Sequence, residues 1–147
     1  MIEYEYAKEV KDLKKYISYC KNNGFILKKK EKQIRTIYRN KNKTIARVTI
    51  NNDKEKVLDF KEDKITSKEL TVRKESLPIK FEDEEAINSI LDFLNYKKDN
   101  TLKRIRYTYT KGNIIFELDE YEEPDNRCIV SLEGDKKIVD KIWKEIN

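Results

Sequence analysis

Side chains along a β-strand point alternately to its two faces, and in this chain the alternation sorts charge onto one of them. Ile2, Tyr4 and Tyr6 lie opposite Glu3 and Glu5; Ala46, Val48 and Ile50 lie opposite Arg47 and Thr49; Leu58 and Phe60 lie opposite Asp59 and Lys61. Further on, Leu70 and Val72 face away from Thr71, Arg73 and Glu75, and Ile105, Tyr107 and Tyr109 face away from Arg104, Arg106 and Thr108. Phe116 and Leu118 oppose Glu117 and Asp119, Val130 and Leu132 oppose Ser131 and Glu133, and Gln33 and Arg35 form the polar side of a less regular strand. A one-sided sheet open to water also has a polar face, but one padded with Lys, Ser and Asn. Here the polar side is acids and mostly arginines, although Lys outnumbers Arg in the chain. Arginine is the better choice where a planar fork must grip an oxyanion with little water nearby.

About eight such strands can close into a barrel whose interior holds side chains or one small ligand. The expected fold is therefore α+β: an antiparallel, eight-stranded, closed or nearly closed β-barrel with about three flanking helices, in one domain spanning 1–147. With the charged faces inward the barrel is a polar tunnel. Buried like charges are costly, so acids and bases must be segregated and a guest must complete their pairing. A polyphosphate chelated to Mg²⁺ or Mn²⁺ carries both signs and meets that requirement.

Helical periodicity appears three times: Val10, Leu13, Ile17 and Cys20; Ile87, Ile90, Leu91 and Leu94; and Ile138, Val139, Ile142, Trp143 and Ile146. Asp83 and Asp135 are placed to cap the second and third, and Gly24 to end the first. The element order, with helices separating groups of strands, argues for antiparallel pairing. With no His, and with Cys20 and Cys128 the only cysteines, the usual zinc sets and histidine-based catalysis are excluded. The three glycines, at 24, 112 and 134, fit no phosphate-cradling loop. The cluster Lys28, Lys29, Lys30 and Lys32 reads as a solvated strand or turn. No apolar run is long enough to span a bilayer, and the opening MIEYEYAKEV lacks the order of a signal peptide, so the expectation is a cytosolic protein with no membrane partner.

The ordered motifs resemble the CYTH domains, or triphosphate tunnel metalloenzymes. An N-terminal ExExK strand corresponds to Glu3-Tyr4-Glu5-Tyr6-Ala7, and the later Arg-rich, Lys-ending, RxExE, KxR, Asp-ending and ExE strands correspond to Arg47-Val48-Thr49, Leu58-Asp59-Phe60-Lys61, Arg73-Lys74-Glu75, Arg104-Ile105-Arg106, Phe116-Glu117-Leu118-Asp119 and Ser131-Leu132-Glu133. The chain departs from the pattern at Ala7 (Lys in the family), Thr49 (Arg) and Ser131 (Glu).

The resemblance implies a metal-dependent hydrolase of a triphosphate, the substrate being inorganic triphosphate, a nucleoside or thiamine triphosphate, or an RNA 5′ end; DNA is not expected. Glu3, Glu5 and Glu75 would be catalytic. Glu3, Glu5, Asp119 and Glu133 would hold Mg²⁺ or Mn²⁺, with Glu117 completing the shell. Arg35, Arg47, Lys61, Arg73, Arg104 and Arg106 would bind phosphate oxygens, and Arg106→Ala is expected to weaken binding with little loss of folding. The alternative is a domain that binds nucleotide, polyphosphate or phosphorylated RNA without turnover; adenylyl cyclisation ranks lower.

Overall fold

The computed structural model describes residues 2–42, 44–65 and 69–147. The order is β1 (Ile2–Val10), α1 (Lys14–Asn22), β2 (Ile26–Arg39), β3 (Ile45–Asn51), β4 (Glu55–Ile65), β5 (Leu70–Glu75), β6 (Ile79–Phe81), α2 (Glu84–Phe93), β7 (Lys97–Lys111), β8 (Ile114–Glu123), β9 (Arg127–Gly134) and α3 (Lys136–Ile146). Neighbouring strands run β3-β2-β7-β8-β9-β1-β5-β4, and β4 returns to β3, closing an antiparallel barrel of eight strands. The short β6 stays outside the ring, on the first half of β4 at Lys56–Leu58. Closure, the charged strand faces turned inward and the three helices agree with the sequence reading. Val10, read as the first member of a helical stripe, instead ends β1, because its ladder partner Cys128 prolongs that strand.

The apolar strand faces turn outward and the helices cover them. Leu13, Tyr16 and Cys20 around α1 and Val139, Trp143 and Ile146 of α3 pack on Phe116, Leu118, Val130 and Leu132. Tyr6 stacks on Trp143 with ring centroids 5.2 Å apart. A smaller cluster joins Leu91 of α2 to Ala46, Val48, Leu58 and Tyr96. Asp83 and Asp135 accept hydrogen bonds from the Ala86 and Ile138 amides, satisfying first-turn N–H groups that lack helical partners. Cys20 is a free, buried thiol, pushed up to about 12 by desolvation, which fits packing rather than chemistry. Among the described residues no helix is long and apolar enough to cross a membrane.

Gly134 ends β9 at φ +148°, and a Cβ there would meet Ile114 Cδ1 at 2.6 Å and the Asn113 carbonyl oxygen at 3.3 Å. Gly134→Ala is therefore expected to lower stability by about 1–3 kcal/mol, through backbone strain plus overpacking. Urea unfolding checks it; an unchanged midpoint would mean that the β8–β9 end yields freely.

Candidate functional site

Cross-strand register decides which inward side chains meet. Glu5 lies opposite Glu133 on one side and Thr71 on the other, Arg73 lies opposite Glu3 and Asp63, Arg106 opposite Asp119, and Arg47 opposite Asp59. The resulting cavity holds about 720 Å³, and among the described residues eight basic and eight acidic side chains line it. Formal charge thus balances around the wall, but its pairing is uneven.

Three arginines are held by acids. Arg73 grips both oxygens of Glu5, at 2.9 and 3.0 Å, and also donates to Asp63 at 3.1 Å and Glu75 at 3.2 Å. Arg106 donates to both oxygens of Asp119, at 2.8 and 2.9 Å, and to Glu117 at 2.9 Å. Arg47 donates to Asp59 at 2.9 Å and reaches Glu75 at 3.4 Å. Desolvation alone would weaken the charged form of all three, yet the surrounding carboxylates outweigh it and raise each above the usual guanidinium value. Asp119, 1% exposed, is held below the usual carboxylate range by Arg106 despite its burial.

Two arginines lack such anchors. Arg35 donates its Nε to Thr49 at 2.9 Å and has no ion pair among the described residues; burial first, then Arg104, Arg47 and Arg106, push it well below its ordinary value. Arg104, 4% exposed, donates to Gln33 at 2.8 Å and to the Tyr121 hydroxyl at 2.9 Å, with Asp119 only at 3.8 Å. Its Nη2 is buried without a hydrogen-bond partner, and desolvation, then Arg106, lower the group. Lys61 is bound to Asp63 at 2.8 Å but is likewise lowered, by desolvation and then Arg73.

The acidic counterpart is Glu5, Glu117 and Glu133, each offering one carboxylate oxygen within 4.8 Å of the others. Burial, then repulsion from Glu117, Glu5, Glu3 and Glu75, pushes Glu133 up to about 9. Burial also raises Glu5, against the pull of Arg73. Three close, hard oxygen donors, one without a protein cation, fit a divalent ion that prefers oxygen ligands.

Of the twelve site residues expected from the sequence, Glu3 does not line the cavity; the other eleven do. Asp119 is engaged by Arg106 through both oxygens, and Glu117 is the acid that joins Glu5 and Glu133. Asp63 and Tyr121 were not singled out from sequence. Tyr121 shares the parity of Glu117 and Asp119, so extending that strand by two residues would have found it; Asp63 follows Asp59 and Lys61 in the same way. Ala7 and Ser131, two of the three departures from the family pattern, line the cavity directly opposite each other. Their two changes therefore fall on one cross-strand pair: a Lys and a Glu there would be ladder neighbours, and losing both leaves the wall's charge balance unaltered.

The structure is thus a closed antiparallel barrel around a charged cavity, in which acids and arginines are interleaved and mostly paired instead of segregated as the sequence reading expected. No protein-family model matches the chain, and no curated protein matches it. Among solved structures, a protein of Pyrococcus horikoshii OT3 is similar, with a TM-score of 0.80 and 20% identity over 98% of this chain and 89% of that one. A Hippeastrum protein described as a candidate adenylyl cyclase with a dominant triphosphatase activity superposes with a TM-score of 0.66 at 14% identity, covering 98% of this chain and 87% of that chain. A chain of the Schizosaccharomyces pombe Mediator head module shares the fold too, at a TM-score of 0.66 and 9% identity over 92% and 83% of the two chains. At these identities the likeness is one of fold.

Proposed function

We propose that this protein is a triphosphatase of the cytosol, which holds a triphosphate and Mg²⁺ or Mn²⁺ inside the barrel and releases the terminal phosphate. The observation that carries the reading is the uneven pairing of the cavity wall. Glu5, Glu117 and Glu133 converge at one place without enough cations to pair them, while Arg35 and Arg104 face the same cavity without enough anions. A metal–triphosphate complex would satisfy both groups at once. The Hippeastrum protein, whose described activity is of this kind, supports the choice of chemistry.

In this reading Arg35 and Arg104 donate to phosphate oxygens, and Arg47 and Lys61 extend that cationic surface. Arg73 and Arg106 orient Glu5 and Glu117, and Glu75 bridges Arg47 and Arg73. Glu5, Glu117 and Glu133 would hold the cation, which when bound neutralises phosphate charge and polarises water. Glu3 and Asp119 act from the margin, Glu3 by its repulsion on Glu133 and Asp119 by fixing Arg106. Water adds to the terminal phosphorus as the bond to the leaving diphosphate breaks; positioning and charge neutralisation supply the acceleration.

Incubation with tripolyphosphate, ATP, thiamine triphosphate or 5′-triphosphate RNA is expected to release orthophosphate with Mn²⁺ or Mg²⁺ and none with EDTA. Pyrophosphate with a cyclic product would instead indicate a cyclase. A second reading, binding without turnover, is favoured by Ala7 and Ser131 standing at lining positions where the family carries Lys and Glu. Tight binding with no phosphate of either kind released would establish it.

Arg35 supplies a sharper check. Its charge is desolvated and unpaired in the protein alone, so Arg35→Met is expected to leave the melting temperature unchanged or raise it. Loss of a charge-assisted phosphate contact should at the same time weaken triphosphate binding by about tenfold or more. Parallel thermal melts and titration calorimetry read both quantities. A variant that melts lower and binds as before would show that Arg35 serves the fold rather than the guest.

A further inference from the structure

The chain's exposed apolar surface is concentrated in one stretch. Of the eight large apolar side chains that stand exposed among the described residues, five fall between Leu77 and Leu94: Phe93 is 85% exposed, Leu77 is 75% exposed, and Ile79, Ile90 and Leu94 are about half exposed. They share one part of the barrel's outside. Ile79 of β6 lies opposite Leu58 in the ladder, and Leu58 packs with Leu91 of α2, as does Phe81, the next outward residue of β6. Ser76, just before Leu77, exchanges hydrogen bonds with the backbone of Phe60, whose ring meets Tyr96 past the end of α2. On α2 itself, Ile87 and Leu91 turn inward and Asn88 accepts from the Tyr38 hydroxyl of β2, so helical spacing puts Ile90 and Phe93 on the flank away from β2. That flank is uncovered.

We infer that this face, α2 together with the Leu77–Ile79 approach to β6, is an interface between two copies of the chain, related by a two-fold axis that sets their α2 helices antiparallel. The inference is independent of what occupies the barrel. The five side chains offer roughly 500 Å² of apolar surface per copy, and a two-fold contact doubles it to about 1,000 Å², the area a specific interface should clear. Charge is arranged for self-pairing. Glu82, Asp83, Glu84 and Glu85 crowd the start of α2, Lys97 and Lys98 follow its end, and Glu82, Glu85 and Lys98 have no ion pair among the described residues. An antiparallel partner brings each acidic start toward the other's lysines, whereas a parallel one would set like charges together. A contact of this kind is self-complementary and needs no second kind of chain. The same acids oppose docking on an anionic membrane.

Sedimentation velocity of the full chain, followed from low micromolar concentration to roughly 100 μM, is expected to show a monomer–dimer equilibrium. Phe93→Glu alters a side chain outside both apolar clusters, so it should leave the circular dichroism spectrum unchanged. It should weaken the dimer by about a hundredfold, since it removes an aromatic anchor from both sides of the contact. Glu85→Lys and Lys98→Glu should each weaken it by about tenfold, and the two combined in one chain should restore it. A chain that stays monomeric throughout, a dimer that survives Phe93→Glu, or a combined variant no tighter than the single ones overturns the inference. So does Phe93-dependent binding of a monomer to phosphatidylcholine vesicles, which would give the face to a membrane.

Discussion

Arg106→Ala is expected to lower global stability by about 3–5 kcal/mol, the range seen when one partner of a buried ion pair is removed. Asp119 is almost fully enclosed and takes two hydrogen bonds from this guanidinium; without them only Arg104 remains, at 3.8 Å. Glu117 loses its donor in the same step, beside Glu5 and Glu133. Against a typical total of about 5–15 kcal/mol, such a loss removes about a fifth or more of the stability and lowers the melting temperature by roughly 10 °C. This reverses the expectation from sequence that Arg106→Ala would spare folding. Arg106→Lys should rescue little, because an ammonium cannot span both oxygens of Asp119 and still reach Glu117. Arg106→Leu combined with Asp119→Leu should recover part of the loss, since it removes the buried Asp119 charge together with its partner and leaves only Glu117 without its donor. Urea denaturation of the single and double variants tests this, and an Arg106→Ala protein that unfolds at the unaltered midpoint would refute the assignment. The effect should also fade in acid. Asp119 is held below its ordinary 3.8, so its contribution is complete above that value and is lost as the pH falls through the lowered one.

The barrel was legible because the period of two is a local property of each strand, and acids and arginines can be assigned to one face without knowing which strands are neighbours. Pairing was not legible, since it depends on register. Glu117 and Asp119 share a face two residues apart, and nothing in the segment Phe116-Glu117-Leu118-Asp119 tells which of them serves the acidic cluster. The β7–β8 register places Asp119 directly opposite Arg106, while Ser131 on β9 stands opposite both Glu117 and Ala7, which leaves Glu117 the freer acid beside Glu5 and Glu133. Arg35 and Arg104 likewise look like Arg47 and Arg73 in sequence. What separates them is the residue across the ladder: Thr49 and Gln33 in their case, Asp59 and Asp63 in the other. The lysine cluster is a solvated strand, as its composition suggested; its contact with the tunnel follows from β2 running on past the end of β3.

Glu133→Gln is expected to raise the melting temperature above pH 7 in the absence of divalent cations and to abolish stabilisation by Mn²⁺. Arg73 occupies both oxygens of Glu5 and Arg106 engages Glu117, whereas Glu133 has no cationic partner among the described residues. Its carboxyl is pushed from an ordinary 4.5 to about 9, first by burial and then by the neighbouring acids. Between those two values the folded state keeps a proton that the unfolded chain releases, so stability falls as the pH rises through that window and is not penalised below 4.5. Glutamine mimics the protonated form and should flatten the slope. A bound divalent cation offsets the same repulsion in the unaltered protein by displacing the proton, so Mn²⁺ should stabilise it and release protons on binding. At a hundredfold excess over its dissociation constant the gain is about 2.7 kcal/mol, or roughly 5–10 °C in the melt. Melts of both proteins at pH 6 and pH 8.5, with Mn²⁺ or EDTA, separate the contributions. An undiminished Mn²⁺ shift in Glu133→Gln, or a pH slope that survives the substitution, would place the cation elsewhere in the wall and leave the three glutamates as a repulsive cluster relieved by protonation alone.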